Sequence, residues 1–175
     1  MKQLSSLLLL ASLISIGGCS VNKGAQESPK SVVNPSATIQ PDSVAHTILG
    51  SDVEAILFAP DSVLVAKMAE TTSSTRFSKT QTFEPVTPMT TVDSNDLKAL
   101  QMLILADGHN YHNDSIMVMS PCMPAMQLNF HKNNAQVKMT VSFSDHTWML
   151  EKDGKELLNF NYTIEEPLNR IYHKL

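Results

Sequence analysis

The chain has 175 residues and a formal net charge of −4, with 13 basic and 17 acidic side chains. This length is typical of one domain. Affinity for nucleic acid depends on basic surface, so the mild acidity argues against a nucleic-acid partner.

The first 18 residues are typical of a bacterial export signal. Lys2 gives a positive end, and residues 7–16 form a short, largely apolar run. A transmembrane helix needs about 20 apolar residues, whereas an apolar run of about ten is the length of a signal-peptide core. The sequence therefore predicts a signal peptide at 1–18 rather than a membrane-spanning helix.

The residues that close this signal are Ile16-Gly17-Gly18-Cys19. They resemble the bacterial lipobox, in which the cysteine is acylated before the signal is removed. The resemblance implies a mature protein that begins at Cys19 and carries a lipid such as palmitate. Ser20 follows, and in enteric bacteria Asp at that place retains lipoproteins in the inner membrane. The expected location is therefore the cell envelope, at the outer membrane, facing the periplasm or the cell surface. An ordinary secreted protein is the alternative.

The next residues have the composition of a flexible tether. The stretch 20–40 is rich in Ser, Asn, Pro and Lys and has few large apolar side chains, so it does not bury enough apolar surface to fold. A flexible segment of this length spans roughly 25 Å on average. We expect a tether over 19–41 and a single domain over 42–175.

Two short helices are expected at the start of the domain. The first begins near Asp42 and ends at Gly50, and the second is capped by Ser51 and ends before Pro60. Ser and Asp accept hydrogen bonds from the free N–H groups of a first helical turn, and Gly and Pro are typical of helix ends.

A strand and a Ser/Thr-rich segment follow. Residues 62–68 are apolar and β-branched, which favours a strand. Residues 70–92 are dominated by Ser and Thr, and a structureless loop of this length is unusual in a compact domain. Within them, 80–86 predicts an edge strand, because Pro85 is tolerated at a sheet edge.

Residues 95–106 give the strongest helix signal. Leu97 and Leu100 belong to a set of apolar residues at helical spacing. Asp93 is a candidate N-cap, and Gly108 lies just past the end.

The C-terminal half predicts an antiparallel meander. Apolar and polar residues alternate along four segments, which are 126–131, 137–144, 147–151 and 158–162. A sheet with one apolar face needs a cover, and the 95–106 helix is the natural candidate. A last short helix begins near Pro167. The predicted fold class is α+β, an antiparallel β-meander of about four to five strands packed against one main helix, with short flanking helices.

Sulfur-containing side chains cluster ahead of the first of these strands. They are Met117, Met119, Cys122 and Met123. Thioether and thiolate groups favour Cu(I), so the cluster is a candidate copper site. The alternative is that methionine fills gaps in the core. If Cys19 carries lipid, Cys122 has no partner within the chain, and it is either buried and inert or pairs between chains.

Imidazole and carboxylate groups lie close together just before that cluster. Asp107, His109, His112 and Asp114 fall within eight residues, and such side chains can hold Zn²⁺. The alternative is an ordinary polar loop.

The sequence contains no recognisable catalytic motif. Asp145-His146 is the nearest acid–base pair, but adjacent residues at a strand turn usually point apart, and no Gly-x-Ser-x-Gly elbow is present. We expect no enzymatic activity and no cofactor.

Three Asp-Ser-apolar tripeptides occur, at Ser43, Ser62 and Ser115. They resemble the O-glycan acceptor of some anaerobic Gram-negative bacteria. The resemblance implies that these serines carry sugar.

The segment from residue 120 to Trp148 resembles a group of small bacterial lipoproteins of no established activity. The similarity lies in Pro121-Cys122-Met123-Pro124 and in the strands that follow. Members of that group carry a second cysteine where this chain has Ser144 or Asp145, so no disulfide is carried over. The predicted function is a non-enzymatic binding or assembly module, anchored to the membrane by lipid and acting with an envelope partner. The alternative is a periplasmic protein that binds copper or zinc.

Overall fold

The computed structural model describes residues 38–75, 78–112 and 123–175, and these three ranges belong to one compact unit. The elements in chain order are α1 (Ser43–Phe58), β1 (Ser62–Thr75), β2 (Ser78–Pro85), β3 (Thr90–Thr91), α2 (Ser94–Leu100), β4 (Met126–Lys132), β5 (Ala135–Ser142), β6 (Thr147–Lys152), β7 (Lys155–Asn161) and α3 (Glu166–Tyr172). A π-helical turn, Gln101–Leu105, continues α2, and a 3-10 turn covers Gly108–Asn110. No helix in these ranges is long and apolar enough to cross a membrane.

The strands form one antiparallel sheet in the order β2-β1-β4-β5-β6-β7, with β3 paired to β1. The α+β class is confirmed, but the expectation of four to five strands is wrong, because the described residues alone form a sheet of seven strands. The edge strand predicted at 80–86 is present as β2, whereas the extension of β1 to Thr75 and the short β3 were not expected, because the Ser/Thr composition of 70–92 suggests a loop. Threonine is β-branched and packs well on a pleated surface, and three threonines lie in the second half of β1 and two in β2.

One face of the sheet is apolar and forms half of the core. Cross-strand register places Leu128 between Val65 on β1 and Met139 on β5, and all three side chains are at most 2% exposed. Burial of each such side chain contributes about 1.5–3 kcal/mol. Leu57 of α1 and Leu100 of α2 are fully buried in the same cluster. The expected cover by one main helix is therefore wrong, since α1 also lies against β4 and β5.

Helix α1 is capped at both ends by side chains. The Asp42 carboxylate accepts hydrogen bonds from the first turn, and Lys132 Nζ donates to the carbonyls of Ala55 (3.1 Å) and Ala59 (2.8 Å) at the other end. A cation at this position also complements the helix dipole. Gly50 breaks the helix with φ 69° and ψ 160°, a conformation that residues with a Cβ rarely adopt. The two predicted short helices are therefore confirmed, and they meet within α1 at a kink at Gly50.

Helix α2 does not continue as a regular α-helix to residue 106. Asp93 caps its start, as expected, but Gln101–Leu105 form a π-helical turn. This turn buries the polar Gln101 (5% exposed) and leaves Met102 56% exposed. Gln101 is satisfied because its Nε2 donates to the carbonyl of Leu57, 2.8 Å away. The hydrogen bond ties this turn to the end of α1.

Helix α3 is held to α2 by ion pairs. The Asp96 carboxylate is 4% exposed and pairs with Arg170 (2.7 Å to Nε) and with Lys174. Both cations keep part of their side chains in solvent. Arg170 also pairs with Glu166 one turn away in α3.

We expect Asp96→Ala to lower the free energy of unfolding by about 1–3 kcal/mol, because it removes the shared acceptor of two cations at a buried position. Glu166→Ala is the matched control. Its carboxylate is 62% exposed, so its loss costs at most about 0.5 kcal/mol. Urea unfolding of both variants tests the contrast, and equal losses would contradict it.

Candidate functional site

The start of α1 and the 3-10 turn meet at Asp42. Its carboxylate accepts hydrogen bonds from the backbone N–H groups of Val44 (2.9 Å) and Ala45 (2.9 Å), and from that of Gly108 (2.7 Å). The Asp42 N–H in turn donates to the carbonyl of Ala106. The hydrogen bonds from these backbone N–H groups lower the pKa of Asp42. We call this arrangement the Asp42 joint, and it fixes the 3-10 turn against α1.

Two imidazoles extend from the 3-10 turn. His109 Nδ1 lies 2.8 Å from Asp107 Oδ1, which also accepts the His109 backbone N–H. These hydrogen bonds, the backbone one first, lower the pKa of Asp107. His112 Nδ1 contacts the carbonyl of His109. A carbonyl accepts but does not donate, so this Nδ1 carries the proton. The two rings are therefore oriented through their Nδ1 atoms.

A pocket of about 400 Å³ lies at the Asp42 joint. His109, His112, Thr163 and Val44 line it together with the joint. Val44 is 50% exposed, so an apolar surface lies next to the imidazoles.

Asn110 supports this pocket from below and is fully buried. Its Nδ2 donates to the carbonyls of Leu103 (3.0 Å) and Ile104 (3.2 Å), which lie within the π-helical turn. Its Oδ1 accepts the Thr163 N–H (3.2 Å), and its own carbonyl accepts Trp148 Nε1 (3.0 Å). Sequence reasoning missed this residue, because one Asn in a polar loop gives no pattern.

Aromatic rings pack beneath Asn110. Tyr111 makes edge contacts with Trp148 (5.1 Å between centroids) and Phe160 (5.0 Å), and its hydroxyl donates to the carbonyl of Leu105. Burial raises the pKa of Tyr111 well above its usual range. These contacts fix the end of the 3-10 turn in the core, and the Tyr111 phenol stays protonated.

The predicted metal ligands are only partly described. The structure brings His109 and His112 to one pocket. Met123 is 46% exposed, whereas Met117, Met119, Cys122 and Asp114 lie outside the described residues. Across 38–75, 78–112 and 123–175, no three His, Cys, Asp or Glu side chains are placed to hold one metal ion.

Two of the serines of the Asp-Ser-apolar tripeptides are exposed. Ser43 is the first residue of α1 and Ser62 the first residue of β1. The Asp before each has a structural role, because Asp42 caps α1 and Asp61 Oδ2 accepts the Asn133 N–H. Ser115 and Cys19 lie outside the described residues. Sugar attachment stays a prediction, which intact-mass measurement of native protein tests.

Asp145 and His146 do not act on each other. The His146 ring contacts Glu165 (Nδ1 to Oε1, 2.7 Å), and Asp145 Oδ1 accepts from the Thr147 hydroxyl (2.9 Å). His146 has φ 54°, so the turn directs the two neighbours to different partners.

A second candidate site is the part of β1 and β2 that extends past the other strands. Strand β4 pairs with β1 from Ser62 to Lys67, whereas β2 pairs with Met68 to Thr75. Strand β2 comes first in the sheet order. Residues 69–75 and 78–84 thus form a two-stranded segment, which we call the ribbon. Within the described ranges, no other strand pairs with either of its edges.

The outward-facing backbone groups of the ribbon follow from its register. Lys67 O accepts from Val86 N on the β2 side, and Met68 N donates to Ala125 O on the β4 side. Backbone groups alternate sides along a strand, so Thr71 faces β2, in agreement with its pairing with Thr82. The intervening residues on β2, 79, 81 and 83, therefore direct their N–H and C=O groups away from β1.

The carboxylates that cap the helical turns predict how the stability of the domain depends on pH. Because the pKa values of Asp42, Asp93 and Asp107 are lowered from 3.8, their contribution to stability is complete above that value and is lost as the pH falls through the folded-state pKa. Asp42→Asn retains a capping oxygen but removes the ionisation. We expect it to flatten the decline of the urea midpoint below about pH 4. Asp52→Asn, at an 87% exposed position, is the control, and an equal flattening there would contradict the prediction.

No protein-family model, no curated protein and no solved structure matches this chain.

Proposed function

We propose that this chain is a lipid-anchored protein of the bacterial cell envelope, held to the outer membrane through Cys19. It works as a non-enzymatic binding or assembly module, and its ribbon binds a partner by strand addition. The lipobox-like residues that end at Cys19 support the anchor. The ribbon, with its outward-facing backbone groups, is the observation that carries the binding role.

A two-stranded segment by itself is only marginally stable in water. Unpaired N–H and C=O groups along an edge are a template for another strand, and many complexes form by adding a strand to such an edge. The ribbon pairs without a register shift from Met68–Pro85 to Thr75–Ser78, so β2 presents a regular edge.

The opposite edge of the sheet, β7, is protected. Its pairing with β6 shifts register at Leu150/Glu151, and bulges of this kind obstruct strand addition. Lys155 and Glu156 are exposed there, and the Asn161 N–H already donates to the carbonyl of His112. The difference between the edges favours β2 as the binding edge.

Partner capture in cells tests the binding role. The Gln81 N–H points away from β1, so Gln81→Pro removes one edge donor and leaves the β1–β2 hydrogen bonds in place. Gln81→Ala is the control. We expect cross-linking in intact cells, followed by purification and mass spectrometry, to recover a reproducible partner with wild type and Gln81→Ala and to lose it with Gln81→Pro. Equal recovery with Gln81→Pro would contradict the role of the ribbon.

The anchor has its own test. Cys19→Ala removes the acylated thiol and is expected to release the protein from the membrane fraction. Retention in the membrane would contradict lipid anchoring.

A second candidate function is metal binding at the pocket beside the Asp42 joint. Its support is that His109 and His112 line one pocket and that each Nδ1 already contacts an oxygen. Metal-binding histidines commonly use the other ring nitrogen in this situation. Elemental analysis of protein purified without chelator tests the idea, with His109→Ala against His173→Ala as control. Zinc and copper contents well below one ion per wild-type chain would contradict metal binding.

A further inference from the structure

We infer that the strand that adds to β2 is the β2 strand of a second copy of this chain, paired antiparallel across a two-fold axis. The inference rests on the proposed function, since it names the partner of the ribbon. Its basis is the register and direction of the backbone at this edge together with the charges along the strand.

The backbone allows this symmetry. In an antiparallel ladder, two opposed residues exchange both hydrogen bonds, so an outward-facing residue must lie opposite another outward-facing residue. The outward-facing residues of β2 are 79, 81 and 83, and they are the same in both copies. Among the registers that meet the condition, the two with the longest overlap of β2 (Ser78–Pro85) place Gln81 opposite Gln81 or Thr82 opposite Thr82. An interface on a two-fold axis uses the same surface of both subunits. The β2 edge of each copy is therefore sufficient to form the dimer.

The charges of the strand favour antiparallel pairing. By sequence, Lys79 lies near the start of β2 and Glu84 near its end. Antiparallel pairing separates Lys79 from the Lys79 of the other copy, and Glu84 from the other Glu84, along the strand. Parallel pairing would place like charges opposite each other, which is unfavourable. The strand carries no net charge, so the two paired strands themselves add no net repulsion.

Lipid anchoring would also favour pairing between two β2 strands, although the paired segment is short. Two copies that are lipidated at Cys19 are confined to one membrane surface. Confinement raises the effective concentration of one binding segment near another. A pairing of a few residues can then form although the same contact in dilute solution would be weak.

Disulfide trapping tests the pairing in the full lipidated chain, in intact cells and in a Cys122→Ser background. Directly opposed residues have Cα atoms about 4.5–5.5 Å apart, within the range that a disulfide spans. A disulfide-linked dimer of Gln81→Cys indicates the register with Gln81 opposite Gln81, and one of Thr82→Cys indicates the register with Thr82 opposite Thr82. Glu156→Cys, on the protected β7 edge, is the matched control. We expect at least one of the β2 variants to give roughly tenfold more disulfide-linked dimer than Glu156→Cys, and Gln81→Pro to abolish the dimer of Thr82→Cys.

No dimer from either β2 variant, or as much dimer from Glu156→Cys, would overturn self-pairing. If self-pairing fails while Gln81→Pro still prevents capture of a different protein, the ribbon keeps its proposed function and only the identity of the partner is wrong. If the dimer is absent and capture is unaffected by Gln81→Pro, both proposals fail. Far-ultraviolet circular dichroism and the urea midpoint of each purified variant establish that a lost dimer is not a lost fold.

Discussion

Replacing Asn110 with alanine is expected to lower the free energy of unfolding by about 2–4 kcal/mol. The substitution removes the donor that satisfies the carbonyls of Leu103 and Ile104 and the acceptor that receives the Thr163 N–H. Asn110 is fully buried, and polar groups left without partners in the interior are costly. Urea unfolding monitored by Trp148 fluorescence measures the change.

Two comparisons separate the hydrogen bonds of Asn110 from its bulk. Asn110→Asp keeps the shape and the acceptor oxygen but loses the Nδ2 donor, so we expect a loss of stability at least as large as that of Asn110→Ala at neutral pH. Asn169→Ala is the control, because its part-buried amide makes one side-chain bond, to Glu165. We expect it to cost about 0.5–1.5 kcal/mol. A loss for Asn110→Ala no greater than this would show that Asn110 does not hold the pocket together.

Gly108→Ala is expected to destabilise the domain by about 1–3 kcal/mol, as overpacking usually does. A Cβ at this position would lie 2.6 Å from Asp42 Oδ1 and 2.6 Å from the Cβ of Val44. The Asp42 carboxylate cannot move aside without losing hydrogen bonds from the first turn of α1 and from Gly108 itself. Thermal unfolding of the purified chain measures the effect.

A double-mutant cycle tests whether this cost arises at the Asp42 joint. In an Asp42→Ala background the carboxylate is absent, so Gly108→Ala should cost less than it does in wild type. The contact with Val44 remains, so the cost should not vanish. If the two losses in the free energy of unfolding were additive, the strain of Gly108→Ala would arise away from the joint. The effects of substitutions add at independent sites, whereas those at contacting sites do not.

The parts of the fold that could be predicted from sequence are those with a local period. Leu128 and Phe130 alternate with Gln127 and Asn129, and this alternation places β4 with its apolar face on the core, as the structure confirms. Likewise, the cap residue Asp93 marks the start of α2. Such patterns are visible because each residue's environment repeats with the geometry of its own element.

The remaining features depend on contacts between distant segments. Asn110 is defined by Trp148 and Thr163, which lie far from it in sequence, so no local pattern indicates its role. The sequence predicts the β2 half of the ribbon as an edge strand at 80–86. It does not predict the extension of β1, because Thr71 has the polarity of a loop and its strand conformation depends on Thr82. The imidazoles His109 and His112 were predicted as a pair, and the structure brings both to one pocket.

The π-helical turn at Gln101–Leu105 confines one extra residue to a single turn of the chain. A π-helical turn is an α-helical turn with an extra residue, so the loss of one residue here is absorbed by a return to α-helical geometry. Met102 is 56% exposed, so its deletion would remove little buried surface and would leave Gly108 against Asp42. Over evolutionary time, this turn is therefore a place where the chain can gain or lose one residue and keep both its core and the Asp42 joint.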